Sequence, residues 1–166
     1  ILSGFFVLAV SSWHLLRGKE EEKETFALAG KYGVWAVLIA GVLIAITGSQ
    51  YLNFLNLVQP DKVNMITGVA SGGLETVVRV AFGIMVSLGF VFIGLSAYTV
   101  IFYQKYLKSP TLQQWYMYLV PLPYIAIITG WMVTEMGRQP WIIYGKMYVA
   151  DGISDVPVNQ VWFSVI

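Results

Sequence analysis

Residues 32–60 read YGVWAVLIAGVLIAITGSQYLNFLNLVQP, without a single Asp, Glu, Lys or Arg. A helix crossing the hydrocarbon core of a bilayer needs roughly 20 predominantly apolar residues, and this stretch exceeds that length. Val80–Gln104 and Ser109–Thr134 do the same, and Ile1–Leu16 nearly does. A fifth apolar segment begins near Val156 and is cut off at Ile166. The apolar residues run all round the helix with no period-two alternation, which sets aside a β-barrel. Backbone polar groups within hydrocarbon must be satisfied inside their own segment, so the segments are helices. The pattern predicts an all-α, polytopic transmembrane helix bundle of about four full helices and a truncated fifth. Their expected ranges are Ile1–Leu16, Thr25–Gly48, Glu75–Leu107, Leu112–Gly137 and Val158–Ile166. Residues 1–166 read as one domain, a fragment of a larger subunit, with a short connection over 49–74.

Composition agrees. Of 166 residues, 57% are hydrophobic and 11% charged, cysteine is absent, and mean hydropathy is +0.69. A soluble domain is nearer 45–50% apolar and about 25% charged, and a fold of this size in water could not hide so much apolar surface. Soluble enzymes, disordered tails and disulfide scaffolds are excluded on these grounds. A net charge of +1 offers no footprint for nucleic acid.

Gly68, Ser71, Gly72 and Gly73 separate the second and third helices, Ser109-Pro110 the third and fourth, while Pro121 and Pro123 predict a kink within the fourth. Arg17, Lys19, Lys23, Lys105 and Lys108 fall in loops on one side, which the positive-inside rule makes cytoplasmic. The acidic run Glu20, Glu21, Glu22, Glu24 reads as a solvated loop there. Trp13, Tyr51, Tyr103, Tyr106, Trp115, Tyr116, Tyr118, Trp141 and Tyr144 lie near segment ends, as aromatic belts at the headgroups would.

Ionisable groups at membrane depth are costly and need a partner, a cavity or a cofactor. Glu135 closes a long apolar helix three residues before Arg138, so the two share a face. Either they form an interfacial ion pair, or the carboxylate ligates a metal or handles protons while the arginine balances a nearby anion. The string Gly130–Trp141 (GWMVTEMGRQPW) combines carboxylate, guanidinium, amide and indoles, a set suited to a planar anionic cofactor. Met85 reads as core filler or as an axial thioether ligand of haem. Arg79 can snorkel to the surface or pair with Glu75 one turn earlier. Lys62 stands in a solvated connection, and His14, the only histidine, sits near the cytoplasmic surface. There is no zinc pattern, phosphate loop or nucleophile elbow.

The string Gly137-Arg-Gln-Pro-Trp141, preceded by Gly130-Trp131 and Glu135, resembles subunit I of the cytochrome bd-type quinol oxidases. Ser11–Gly18 (SSWHLLRG) is similar to the end of that family's fifth helix. Gln59-Pro-Asp-Lys62 is similar to the start of its quinol loop, and Ala81–Val86 (AFGIMV) to the helix that follows. The likeness runs in the family's order over essentially the whole chain. It implies a haem-binding subunit of a membrane quinol:oxygen oxidoreductase. Such a subunit passes electrons from quinol through low-spin and high-spin haem b to haem d, where dioxygen is reduced. It implies Met85 and Glu135 as axial iron ligands, and Arg138, Trp131, Gln139 and Trp141 beside the haem site. Lys62 is implied at the quinol, and residues 49–74 as a reduced extracytoplasmic quinol loop. A second oxidase subunit, quinol, dioxygen and membrane lipid are the implied partners, in the cytoplasmic membrane of a bacterium or archaeon. The chain also departs from the family. Its histidine ligands fall before Ile1, and His14 matches neither. Its arginine two positions before the methionine ligand is Gly83 here, and its glutamate five positions after the lysine is Thr67. These departures fit a non-catalytic, degenerate copy, and the proline-broken helix would also suit a haem-free transporter subunit.

Overall fold

The computed structural model describes residues 1–68 and 72–152; the expected helix Val158–Ile166 lies outside them. The described chain is a helix bundle: α1 (Leu2–Arg17), α2 (Glu20–Val58), α3 (Pro60–Thr67), α4 (Gly73–Ile101), α5 (Tyr103–Lys108), α6 (Pro110–Tyr118) and α7 (Pro121–Met136). A small antiparallel hairpin follows, β1 (Trp141–Ile143) and β2 (Met147–Tyr148), pairing Trp141 with Tyr148. Among the described residues, three helical stretches are long and apolar enough to cross a membrane: Glu20–Val58, Gly73–Ile101 and Pro110–Met136.

The helix ends differ from the expected ones for local reasons. The acidic run is not a loop: Glu20, Glu21 and Glu22 form the first turn of α2, where carboxylates offset the positive end of the helix dipole. Nothing after Gly48 breaks α2, so its 39 residues reach roughly 58 Å, well past a hydrocarbon core. Pro60 then opens α3, the position at which a missing N–H costs nothing. The expected Glu75–Leu107 helix divides at Phe102, and Leu112–Gly137 divides at Leu119-Val120. There Pro121 and Pro123 have no N–H to give to Met117 and Leu119. The backbone tightens instead to three-residue bonds, Val120 N–H to Met117 O and Leu122 N–H to Leu119 O.

At the α5–α6 turn, Pro110 cannot donate to the Tyr106 carbonyl. The Ser109 N–H reaches that carbonyl at 3.3 Å, and Gln113 adds a second donor: its Nε2 gives hydrogen bonds to Tyr106 O and Leu107 O, both at 3.1 Å. The side chain is 3% exposed. Gln113→Leu therefore takes the side-chain donor from the Leu107 carbonyl and leaves Tyr106 O with the Ser109 N–H alone, at 3.3 Å, and is expected to cost about 1–3 kcal/mol, measured as thermal unfolding in detergent.

The main core gathers Phe5 and Leu8 of α1, Val34 and Val37 of α2, Phe92 of α4, Tyr106 of α5 and Tyr116 of α6. Phe5 packs on Phe92 and Tyr116 at 5.4 and 5.9 Å between ring centres, and Tyr106 meets Tyr116 edge-on at 5.8 Å. Tyr106 and Tyr116 thus leave the expected aromatic belt for the interior. Burial is possible because each hydroxyl is satisfied: Tyr106 with Ser12 Oγ at 2.8 Å, Tyr116 with Thr99 and, at 3.1 Å, the Leu95 carbonyl. Gly33 lets α1 and α2 touch, since a Cβ there would stand 2.9 Å from Gly4 O and 3.1 Å from Leu8 N. A second cluster, Ile66, Val78, Ala81 and Val133, seats α3 against α4 and α7. That seat places Lys62 beside the residues after α7.

Candidate functional site

Two cavities lie at the end of α2 remote from the α1–α2 turn. The first has a volume of about 610 Å³ and mostly polar surroundings. Gln59, Asp61 and Lys62 come from the start of α3, Glu75 from α4, and Arg138, Gln139, Trp141 and Tyr144 from the segment after α7. That segment is held in place by its own bonds. The Gln139–Pro140 peptide is cis, Trp141 N–H bonds to Arg138 O and Val149 N–H to Pro140 O, both at 2.9 Å. The Trp141 ring stacks on Tyr148 at 4.0 Å. Gly145 turns the hairpin with φ +70°, a conformation that glycine adopts without strain. Tyr144 then reaches back to α3, its hydroxyl donating to Asp61 Oδ2 at 3.0 Å.

The second cavity, about 450 Å³, is strongly apolar. Ile44, Tyr51, Leu52, Phe82, Met85, Val86, Phe90 and Ile93 furnish much of its wall, with glycine backbone at Gly41, Gly48, Gly89 and Gly130. A Cβ at Gly130 would lie 2.9 Å from the Met85 sulfur, so this glycine makes room for the thioether. Lys62 lines both cavities. Its ammonium is held below the ordinary lysine range, first by burial, then by the Arg138 charge, with Glu135 pulling the other way.

The sequence-predicted residues divide into three places. Lys62, Arg138, Gln139 and Trp141 come together around the polar cavity, and Met85 faces the apolar one. Glu135 and Trp131 line neither. Glu135 pairs with Arg138, and its side chain is 36% exposed within this chain; Trp131, one turn earlier on the same face, is 66% exposed. The ion pair read from the spacing is thus formed. His14 lies far off, stacked on Phe26 at 3.7 Å with Nδ1 3.5 Å from a Glu22 oxygen.

Two features escape a sequence reading. Tyr144 and Asp61 are 83 residues apart, and nothing local links them. Arg79 does not snorkel free: its Nε and Nη2 are buried without a hydrogen-bond partner among the described residues. It lies three and seven residues before Phe82 and Val86, on the helix face that lines the apolar cavity.

The apolar cavity fits a haem. It offers a soft thioether donor, apolar walls with glycine gaps, and the Lys62 side chain at its border. The Glu135 face fits differently. A carboxylate and an indole point outward, so a group ligated there would lie against the outside of this chain. No cluster of three or more His, Cys, Asp or Glu that could hold a bare metal ion is found among the described residues.

The family model described as cytochrome bd terminal oxidase subunit I matches residues 1–75 and 74–166. Among curated proteins, the chain is 38% identical over 58 residues to cytochrome bd ubiquinol oxidase subunit 1 of Bacillus subtilis (strain 168), covering 32% of this chain and 12% of that protein. It is 42% identical over 50 residues to cytochrome bd-II ubiquinol oxidase subunit 1 of Escherichia coli (strain K12), covering 30% of this chain and 10% of that protein. The matched stretches are thus a small part of either relative.

Proposed function

Because the chain belongs to the cytochrome bd terminal oxidase subunit I family, we propose that it forms the electron-entry part of a membrane quinol:oxygen oxidoreductase. Lys62 carries this reading. One side chain borders both the polar cavity and the apolar cavity that holds Met85. A quinol headgroup in the first and a haem in the second would be separated by little more than that side chain. The haem would supply one-electron acceptance from the quinol.

The chain's own residues would do the rest. Met85 would give its sulfur to a low-spin haem b, a thioether that favours a raised potential. Gly130 would leave the thioether its room. Lys62 would donate a hydrogen bond to a quinol oxygen, with Gln59 and Gln139 as further polar groups on the cavity wall and the Trp141 indole beside them. On the outward face Glu135 would ligate a high-spin haem b, with Arg138 and Trp131 beside it. A haem d and the reduction of dioxygen would lie deeper in the assembled enzyme. There a second oxidase subunit and lipid would cover the apolar faces, in a bacterial cytoplasmic membrane. The connection at residues 49–74, helical over most of its described residues, would serve as a shortened quinol loop on the outer side.

The lowered pKa of Lys62 sets the sign of a pH effect. The charged form is penalised in the folded protein, and that penalty is in full force below the lowered pKa. It fades as pH climbs from there towards the ordinary lysine value of 10.5. A quinol oxygen is held best by the protonated amine. The KM for quinol is expected to rise as pH climbs through the Lys62 pKa, well before an unperturbed lysine would titrate. Lys62→Gln is expected to remove that limb and raise KM at neutral pH. Steady-state quinol oxidation by the assembled complex, measured across alkaline pH, checks both; identical profiles for the two proteins would refute the assignment.

A further inference from the structure

Oxidising a quinol to a quinone releases two protons with its two electrons, and the protons need a base. Most polar groups around the polar cavity cannot serve. A lysine ammonium and a guanidinium are donors only, an indole likewise, and the amides of Gln59, Asn64 and Gln139 are not bases. Tyr144 is a neutral phenol. Partial burial, then its bond to Asp61 and the charge of that carboxylate, raise its pKa above the ordinary 10.0, so it donates and does not accept. Two carboxylates remain on the cavity wall, Asp61 at the start of α3 and Glu75 in the first turn of α4. Asp61 is the neighbour of Lys62 in the chain, and both line the cavity. It is also held from the far side of the cavity: the Tyr144 hydroxyl, carried in by the hairpin turn, donates to its Oδ2 at 3.0 Å. An oxygen resting on the Lys62 amine would therefore lie next to a carboxylate fixed in place.

We infer that Asp61 is the base that takes a proton from the bound quinol, with Tyr144 as the positioning residue that holds its carboxylate at the cavity. This rests on the proposed quinol site. As the O–H bond of the quinol breaks, an O–H bond forms on the Asp61 carboxylate. The electrons leave one at a time to the acceptor of that reading. Asp61 is exposed, so the acid that forms passes its proton to outer water and the carboxylate is ready for the second. Lys62 and Arg138 flank this step as cations and favour the ionised carboxylate.

The test is the rate at which a short-chain quinol reduces the purified, assembled complex without oxygen, followed by stopped-flow absorbance. Asp61→Asn keeps an oxygen for Tyr144 to donate to and removes the base. It is expected to lower the maximal rate about 100-fold, the scale of general base catalysis, with little change in the quinol concentration for half-maximal rate. Asp61→Glu is expected to recover most of the rate, and Tyr144→Phe to lose a smaller part. The dithionite-reduced spectrum checks that each variant is assembled. If Asp61→Asn does not assemble, Tyr144→Phe decides, and a wild-type maximal rate there overturns the inference. So does a wild-type rate in Asp61→Asn, an equal loss in Asp61→Asn and Asp61→Glu, or a loss in Glu75→Gln that Asp61→Asn does not share. Lys62→Gln separates the two failures. If it weakens quinol binding while Asp61→Asn reacts as wild type does, only the role of Asp61 is refuted. If neither variant changes quinol oxidation, the quinol site itself is refuted.

Discussion

Met85→Leu is expected to abolish the low-spin haem spectrum and, with it, quinol-driven oxygen consumption. The two side chains are close in volume, and such swaps usually cost less than about 1.5 kcal/mol of stability. The helix should therefore stay in place, and what disappears is the sulfur. Changing a residue behind a metal ligand lowers metal affinity or activity by about 10–100-fold, so losing the ligand itself should cost at least as much. Optical spectra of the reduced complex and oxygen uptake with a short-chain quinol report the two losses. A variant that keeps both would place Met85 among the ordinary core residues. Gly130→Val offers a milder version of the same experiment, because its branched side chain would push against the sulfur and should shift the band without removing it.

Gly33→Leu should have the largest effect on the fold. The new Cβ alone would meet backbone on the opposite helix, Gly4 O at 2.9 Å and Leu8 N at 3.1 Å. Backbone cannot rotate away as a side-chain tip can, so α1 and α2 must separate. Overpacking of this kind costs about 1–3 kcal/mol, and leucine should lie at the upper end and alanine at the lower. The separation would also disturb Phe5 and Leu8, which anchor the main core. Gly94→Ala is the control: nothing lies within 4 Å of its Cβ position, and it should be neutral or stabilising by about 0.5–1 kcal/mol. Detergent melting curves for the three variants test the order leucine, alanine, control. A Gly33→Leu protein that melts with wild type would show that the two helices do not touch here.

The legibility of this chain in sequence divides along a physical line. Spanning helices are sums over local hydropathy, so Tyr32–Pro60, Val80–Gln104 and Ser109–Thr134 could be read before any packing was known. Breaks at Pro110, Pro121 and Pro123 are equally local, because a missing N–H acts on its own neighbours. The Glu135–Arg138 pair is a matter of helix spacing. Motif likeness carried the family and brought Met85 and Lys62 to notice. Other features had no local signal. Phe102 interrupts a helix in which neither glycine nor proline marks the spot. Tyr106 and Tyr116 looked like belt aromatics until Ser12, Thr99 and a Leu95 carbonyl satisfied their hydroxyls inside the bundle. The hairpin at Trp141–Tyr148 follows a helix end that sequence alone placed correctly to within a residue.

What the sequence determined by itself is an all-α membrane bundle of the bd subunit I type, since bilayer thickness and backbone hydrogen bonding act on each segment separately. What only the tertiary structure decided is which polar groups meet. Docking α3 through Ile66 onto Val78 and Val133 brings Lys62 between two cavities, and the return of the hairpin brings Tyr144 to Asp61. It also sends Glu135 and Trp131 to the outside while burying two nitrogens of Arg79. These placements depend on how far apart helices pack, a property that belongs to pairs of surfaces and is carried by no single stretch of chain.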